Sequence, residues 1–274
     1  MGLTQGHVLM TMNDRAFHEL HQVAGEPLVL PNAWDAGSAR MFEHVGAKAI
    51  ATTSAGVAWS HGYRDGDLLP NDLLLSTLRD VVRAVTVPVS ADVEGGYSQD
   101  PAAVAELIAQ VMDAGVVGIN IEDAGHPVEL LAAKIEAIRG RSSTLFINAR
   151  TDVYLFGLAE PERRLEETLR RAAIYKAAGA SGIFVPALLN PAEIKTVVAE
   201  VGLPVNVLAL PGVPPLAELA ALGVARLSAG SGMHRAMFRQ AAALGAEFLV
   251  TGTLGEDTPS EWTYASINAL MPIS

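Results

Sequence analysis

No cysteine occurs among the 274 residues. Disulfides, zinc–thiolate sites and thiol nucleophiles are excluded with it. Positive charge is scarce as well: 19 Lys and Arg stand against 30 Asp and Glu, for a net charge of −11. Nucleic-acid binding needs a basic footprint, so that class of partner is set aside. A small anionic ligand is not, because a metal and a few cations can reverse the field locally. No run is long and apolar enough to cross a bilayer, and the polar residues 1–15 hold no apolar signal-peptide core. A cytoplasmic chain without membrane contact is expected. No linker or low-complexity stretch interrupts the chain, so one domain is expected over 1–274.

What is present is a recurring phrase: a helical stretch, a glycine, then a short aliphatic run. It reads Val45-Gly46-Ala47-Lys48-Ala49-Ile50, then Ala114-Gly115-Val116-Val117-Gly118-Ile119, and returns at Gly179, Gly202 and Gly223. A glycine suits the left-handed position that ends a helix. The apolar run after it is a buried parallel strand. Eight such strands are expected, over 28–32, 49–53, 87–92, 118–122, 145–150, 182–186, 204–208 and 225–228. Between them, Leu74, Leu78, Val81, Val82 and Val85 share one helix face. The stretch 163–171 carries charge on its outer side, with Glu166→Arg170 and Glu167→Arg171 at i,i+4 spacing. Asp100-Pro101 and Asn190-Pro191 mark helix starts.

Eight βα units match a closed (β/α)8 TIM barrel, which takes roughly 250 residues. A doubly wound open sheet has the same local signals, but no G-x-G-x-x-G follows the first strand and eight is the closing number. Residues 255–274 form a tail with one helix around 262–270, whose apolar residues suit packing or a subunit contact.

Reactive groups of such barrels sit at the C-terminal ends of the strands. The first ends in Trp34-Asp35, where Asp35 reads as a helix cap and Trp34 as a pocket wall. The second ends in Thr53-Ser54-Ala55-Gly56; its small residues fit either a tight turn or a cradle of N–H groups for a carboxylate. The loop His61-Gly62-Tyr63-Arg64-Asp65-Gly66-Asp67 is long and polar enough for a functional cover. The third ends in Ser90-Ala91-Asp92-Val93-Glu94-Gly95-Gly96-Tyr97 and the fourth in Asn120-Ile121-Glu122-Asp123. Clustered carboxylates need a proton or a cation between them. Without His or Cys at these ends, Mg²⁺ or Mn²⁺ is the expected cation, with Asp92, Glu94 and Glu122 as candidate ligands. A structural ion-pair network is the alternative. Arg150, ending the fifth strand, can bind a carboxylate bidentately or neutralise Glu122 or Asp152. Asn206 offers an amide to the pocket or bonds within the barrel. Ser228-Ala229-Gly230-Ser231 opens a helix that could meet an anion.

Taken in order, Thr53-Ser54-Ala55-Gly56, Arg64-Asp65, Ser90-Ala91-Asp92 with Gly95-Gly96-Tyr97, Ile121-Glu122-Asp123 and Ala149-Arg150-Thr151-Asp152 resemble the isocitrate lyase/phosphoenolpyruvate mutase superfamily. The likeness runs from about Leu28 to about Leu244, nearest to methylisocitrate lyase and carboxyvinyl-carboxyphosphonate phosphorylmutase-like members. It implies a barrel whose last helix is exchanged between subunits, assembled as a homodimer or homotetramer. It implies Mg²⁺, a small 2-oxo carboxylate, and C–C or C–P bond chemistry through an enolate-type intermediate. On this resemblance Ser54, Ala55 and Gly56 cradle the carboxylate, and Asp92 and Glu122 serve the metal. Arg150 binds substrate, and Asp65 is nucleophile or metal helper. Three features depart from it. Ser90 stands where the first acid of Asp-Ala-Asp is the direct metal ligand, which leaves Glu94 as a substitute. The cysteine-bearing loop of the lyases is replaced by Ala124-Gly125-His126-Pro127. The mutases' Lys…Asn gating loop is missing. The expected function is a Mg²⁺-dependent C–C lyase, with His126, Tyr63, Glu94 or Asp65 moving the proton. The alternatives are C–P chemistry with Asp65 as nucleophile, and a non-catalytic barrel that binds a 2-oxo acid.

Overall fold

The computed structural model describes residues 10–254 and 261–272, so residues 1–9 and the 255–260 part of the tail lie outside the described residues. Nine parallel strand segments form one sheet: β1 (Leu28–Leu30), β2 (Asn32–Ala33), β3 (Ile50–Thr52), β4 (Val89–Asp92), β5 (Gly118–Glu122), β6 (Phe146–Arg150), β7 (Gly182–Val185), β8 (Val205–Leu208) and β9 (Arg226–Ser228). Their order is β1-β9-β8-β7-β6-β5-β4-β3-β2. Only Pro31 separates β1, which pairs with β9, from β2, which pairs with β3. Proline offers no N–H to a ladder, so one stave is split in two, and passing through it closes the ring. The eight expected strands are all present, and the fold is a (β/α)8 barrel.

The apolar helix faces pack outside the staves. Leu74, Leu78 and Val81 of the helix Asn71–Ala84 are buried, with Val82 and Val85 partly so. Asp100 and Asn190 cap the helices Pro101–Asp113 and Pro191–Val201. The helix Arg164–Ala178 meets expectation in part: Glu167 pairs with Arg171 at 2.7 Å, as the i,i+4 spacing implies. Arg170 pairs with Glu167 rather than Glu166, and Arg171 is buried and turns inward. A side chain that long can reach past the helix surface to a buried carboxylate, which periodicity cannot report.

Inside the barrel the floor is apolar. The helix Met12–Leu20 inserts Phe17 among Leu28, Leu30, Ala49, Ala51 and Phe146. The Phe17 and Phe146 rings meet edge to face at 5.4 Å. At Gly118 a Cβ would stand 2.6 Å from the Phe17 ring, so only glycine admits this plug. Above the floor lies a polar layer. Asn148 donates to Asn120 Oδ1 at 2.8 Å, and Asn206 donates to Ser228 Oγ at 3.0 Å. Arg226, fully buried, donates to Ser228 Oγ at 2.9 Å and Asn120 Oδ1 at 3.3 Å. Asn32 Oδ1 accepts from the Ala229 and Gly230 amides, each at 2.9 Å, so those N–H groups serve the barrel.

Beyond His234 the helix Gly232–Thr251 is exposed along its length, including Phe238, Phe248, Leu249 and Val250. The described tail helix is Tyr264–Leu270, within the expected range. No described helix is long and apolar enough to cross a membrane.

Removing the floor plug tests this packing. Phe17→Ala is expected to cost about 3 kcal/mol of unfolding free energy, typical of a buried aromatic cavity. Urea denaturation checks it, and a loss below about 1 kcal/mol would show that the helix is not part of the core.

Candidate active site

At the C-terminal mouth β4, β5 and β6 end in Asp92, Glu122 and Arg150. Neighbouring register places Glu122 beside Arg150 and Arg150 beside Phe184. Arg150 Nη1 lies 2.6 Å from Glu122 Oε2, and its Nε donates to Asp152 Oδ1 at 2.7 Å. Its guanidinium carbon stands 5.9 Å from the centre of the Phe184 ring. Two strands away, Asp92 Oδ2 accepts from the Ser54 amide at 3.1 Å and the Ser54 hydroxyl at 2.9 Å. The Asp92 amide donates to Thr52 Oγ1 at 2.9 Å, which fixes the strand end.

Ser54 begins the helix Ser54–Ser60 directly after β3. The small-residue stretch is therefore a helix start rather than a bare turn, and the first-turn amides of Ala55 and Gly56 have no acceptor within the helix. Thr53 is buried, its amide donating to Ala33 O at 2.9 Å. At Gly56 a Cβ would meet Thr53 Cγ2 at 2.6 Å and Trp34 Cβ at 3.0 Å, so glycine is what lets Trp34 close on this helix. Trp34 is half-buried, with His234 4.5 Å away on one side and Phe42 6.0 Å away on the other. Asp35 caps the helix Ala36–His44 and has no other role in the geometry.

The polar loop brings Asp65 to this cluster. Its carboxylate feels the charges of Asp92 and Arg150 and the dipole of the Ser54 side chain. Asp65, Asp92, Glu122, Arg150 and Ser54 therefore converge. Three other expected residues stand apart. Asn206 bonds within the polar layer. His126 is exposed on the turn after β5, its amide donating to Asp123 O at 2.7 Å. Glu94 is buried, with Oε2 accepting from the Gly66 and Asp67 amides and Oε1 accepting from the Tyr97 hydroxyl at 2.8 Å.

Electrostatics sharpen the picture. Burial pushes the Glu122 carboxyl up, to about 9, against the pull of Arg150 and with the push of Asp92, Asp152 and Glu94. Burial likewise raises Glu94 to about 7, and burial and Asp92 raise Asp65. Burial lowers Arg150, but Glu122 and Asp152 outweigh it and hold the guanidinium above its ordinary range. Several acids thus crowd around one cation, and more positive charge would relieve them.

Two residues of Asp123 and Arg171 form an ion pair that the strand-end pattern did not reveal. Adjacent residues of a strand point to opposite faces, so Asp123 faces outward where Glu122 faces in. Asp123 Oδ2 accepts from Arg171 Nη1 at 2.8 Å and the Tyr175 hydroxyl at 2.9 Å, and its Oδ1 accepts from the Asp152 amide at 3.1 Å. It therefore anchors the turn that presents Asp152 to Arg150. The i,i+4 spacing of Arg171 and Tyr175 was the available signal, but their acidic partner lies 48 residues from Arg171.

Among the described residues no three acids or histidines close into a metal-holding group. The Ser90 hydroxyl and Asp152 Oδ2 are buried without a hydrogen-bond partner there. A donor set of two carboxylates, Asp92 and Glu122, fits a hard cation that keeps most of its water, as Mg²⁺ does.

The fold and its mouth define a (β/α)8-barrel enzyme with an arginine set among carboxylates. The family model described as phosphoenolpyruvate phosphomutase matches residues 17–249, and the chain belongs to that family, within the isocitrate lyase/PEP mutase superfamily of lyases and mutases. An uncharacterized protein of Mycobacterium tuberculosis strain H37Rv is 39% identical over 258 residues, covering 93% of this chain and 95% of that one. The 2-methylisocitrate lyase of Halalkalibacterium halodurans is 28% identical over 225 residues, covering 77% and 69%. A crystal structure from Burkholderia cenocepacia J2315, provisionally described as a phosphonomutase, superposes with a TM-score of 0.81 at 43% identity, covering 86% of this chain and 100% of that one.

Asp123→Asn takes from the buried Arg171 one of its two carboxylate partners, the buried one, and leaves only Glu167. It is expected to destabilise the protein by about 3 kcal/mol, read by urea unfolding. An unchanged midpoint would remove Asp123 as the anchor.

Proposed function

We propose that the protein is a Mg²⁺-dependent lyase that cleaves a carbon–carbon bond in a small 2-oxo or 2-hydroxy di- or tricarboxylate. The observation that carries this reading is the setting of Arg150, paired with Glu122 and Asp152 and within the field of Asp92 and Asp65. Asp92 and Glu122 would hold Mg²⁺, or Mn²⁺ in its place. When bound, the ion supplies fixed positive charge that eases negative charge onto the 2-oxo oxygen as the neighbouring bond breaks. Arg150, with Nε and Nη1 already engaged, meets the substrate carboxylate through Nη2. The Ala55 and Gly56 amides, set by Ser54 whose own amide is held by Asp92, orient that carboxylate from the other side, by positioning and charge. Trp34 and Phe184 wall the site and keep water from it. Asp65, raised by burial and by Asp92, is the group placed to hold the proton that the cleaved carbon needs. Exposed His126 is the second candidate for that transfer.

The approach of Asp65 to Arg150 also supports a second reading, C–P chemistry with Asp65 as nucleophile. A panel of 2-oxo and 2-hydroxy dicarboxylates, run beside phosphonopyruvate followed by ³¹P NMR, separates the two. Turnover of a dicarboxylate with none of phosphonopyruvate is expected; the reverse would replace the first reading with the second, and tight binding without any turnover would make the barrel a binding protein.

Oxalate, a planar mimic of the oxo-acid enolate, tests the site directly. Calorimetry is expected to show oxalate binding that needs Mg²⁺ and falls at least roughly tenfold in Arg150→Lys, because lysine cannot reproduce the planar fork. A protonated carboxyl cannot ligate a metal, and the Glu122 carboxyl is raised to about 9. Mg²⁺ affinity should therefore rise from pH 6 to pH 9 with proton release. Metal-independent binding, or affinity flat across that range, would sink the mechanism.

We further infer a homodimer or homotetramer, because the helix Gly232–Thr251 exposes Phe248, Leu249 and Val250 with nothing among the described residues to cover them. Analytical ultracentrifugation should find an oligomer that Phe248→Asp with Leu249→Asp weakens; a monomer at micromolar concentration would refute it.

A further inference from the structure

The mouth of the barrel contains a second set of contacts that the proposed chemistry does not use. Glu94, Tyr97 and Asp67 all take left-handed backbone conformations, with φ of 51°, 57° and 56°. Non-glycine residues hold that region only where their surroundings enforce it. Here the three enforce one another. Glu94 reaches from the end of β4 to the loop, where its Oε2 accepts from the Gly66 amide at 2.7 Å and also from the Asp67 amide. Asp67 reaches back, its Oδ1 accepting from the Tyr97 amide at 3.1 Å. The Tyr97 hydroxyl closes the circle on Glu94 Oε1 at 2.8 Å. A Cβ at Gly95 would stand 2.8 Å from Asp67 Oδ2, so the glycine makes room for the returning carboxylate. Buried Lys134 donates to the Gly95 carbonyl at 2.6 Å, and its charge offsets part of the burial that raises the Asp67 carboxyl.

We propose that Glu94 is a positioning residue, which clasps the loop over 61–67 so that Asp65 stands against Ser54, Asp92 and Arg150. Gly66 and Asp67 directly follow Asp65 in the chain, and pinning both of their amides fixes where Asp65 can point. Both Glu94 oxygens already accept hydrogen bonds, so the residue serves the loop and not the cation. Its role acts through Asp65, and in that respect rests on the reading of Asp65 as part of the reacting site.

Two measurements test the clasp, one independent of any ligand. Hydrogen exchange should show the Gly66 and Asp67 amides losing protection roughly tenfold or more in Glu94→Gln while the barrel core keeps its own. Unchanged protection overturns the proposal. The second is a double-mutant cycle on oxalate affinity with Mg²⁺ present. Glu94→Gln should weaken oxalate roughly tenfold in the wild-type background and less than about twofold in Asp65→Asn, since coupled residues are not additive. Equal losses in both backgrounds overturn it, as does a loss of Mg²⁺ affinity in Glu94→Gln as large as that in Asp92→Asn. If Glu94→Gln does not fold, Tyr97→Phe removes one donor, keeps the carboxylate, and should move both readouts the same way by less. Should the wild type bind no oxalate with Mg²⁺, the proposed function fails and the exchange result alone decides the clasp.

Discussion

A guanidinium held between two carboxylates organises the mouth of this barrel. Among the described residues Arg150 is the cation in contact with Glu122 and Asp152, both of which have lost most of their water. Taking charges out of water costs several kcal/mol per ion even after relaxation, and only their mutual attraction makes the arrangement tolerable. Everything around the pair follows from keeping it in register. Parallel pairing sets Glu122 beside Arg150. Asp123, the residue directly after that strand, ties the Asp152 turn to the helix that carries Arg171 and Tyr175. The outer network thus supports the inner one through a single backbone amide.

The barrel interior is layered in a way that suits this charge. An apolar floor around Phe17 excludes water from below. A layer of amides and hydroxyls, with Arg226 among them, separates the floor from the acids. Burial lowers Arg226 to about 9, and its field reaches Asp92 from beneath. Negative charge gathers only at the open end, where a cation and a small carboxylate can enter. The same division explains why polar residues occupy so many inward positions in a chain that is half hydrophobic.

Much of this was legible before any coordinates. All eight strands were readable because a buried parallel strand is a local signal, an aliphatic run after a helix-ending glycine. Asp92, Glu122 and Arg150 were readable because strand ends are where a barrel places its chemistry, and Asp65 through the resemblance of Arg64-Asp65 to the family's motif. Other features were hidden for one shared reason. Asp123 looked like a twin of Glu122 until the pleat turned it outward. Arg171 looked like an outer-face charge until its length carried it to Asp123. Glu94 looked like a spare metal ligand, while its Oε2 accepts from loop amides 27 and 28 residues away and its Oε1 from the Tyr97 hydroxyl.

The sequence alone determined the barrel, the family and the identity of the acids and the arginine at its mouth, because periodicity and motif order are written along the chain. Only the tertiary structure decided which acid faces which partner. Hydrogen bonds between strand ends and loops depend on direction over a few ångströms, and residues far apart in the chain reach that distance only once the barrel has closed. Arg150 between Glu122 and Asp152, Asp123 beneath them and Glu94 clasped to its loop are decisions of that kind.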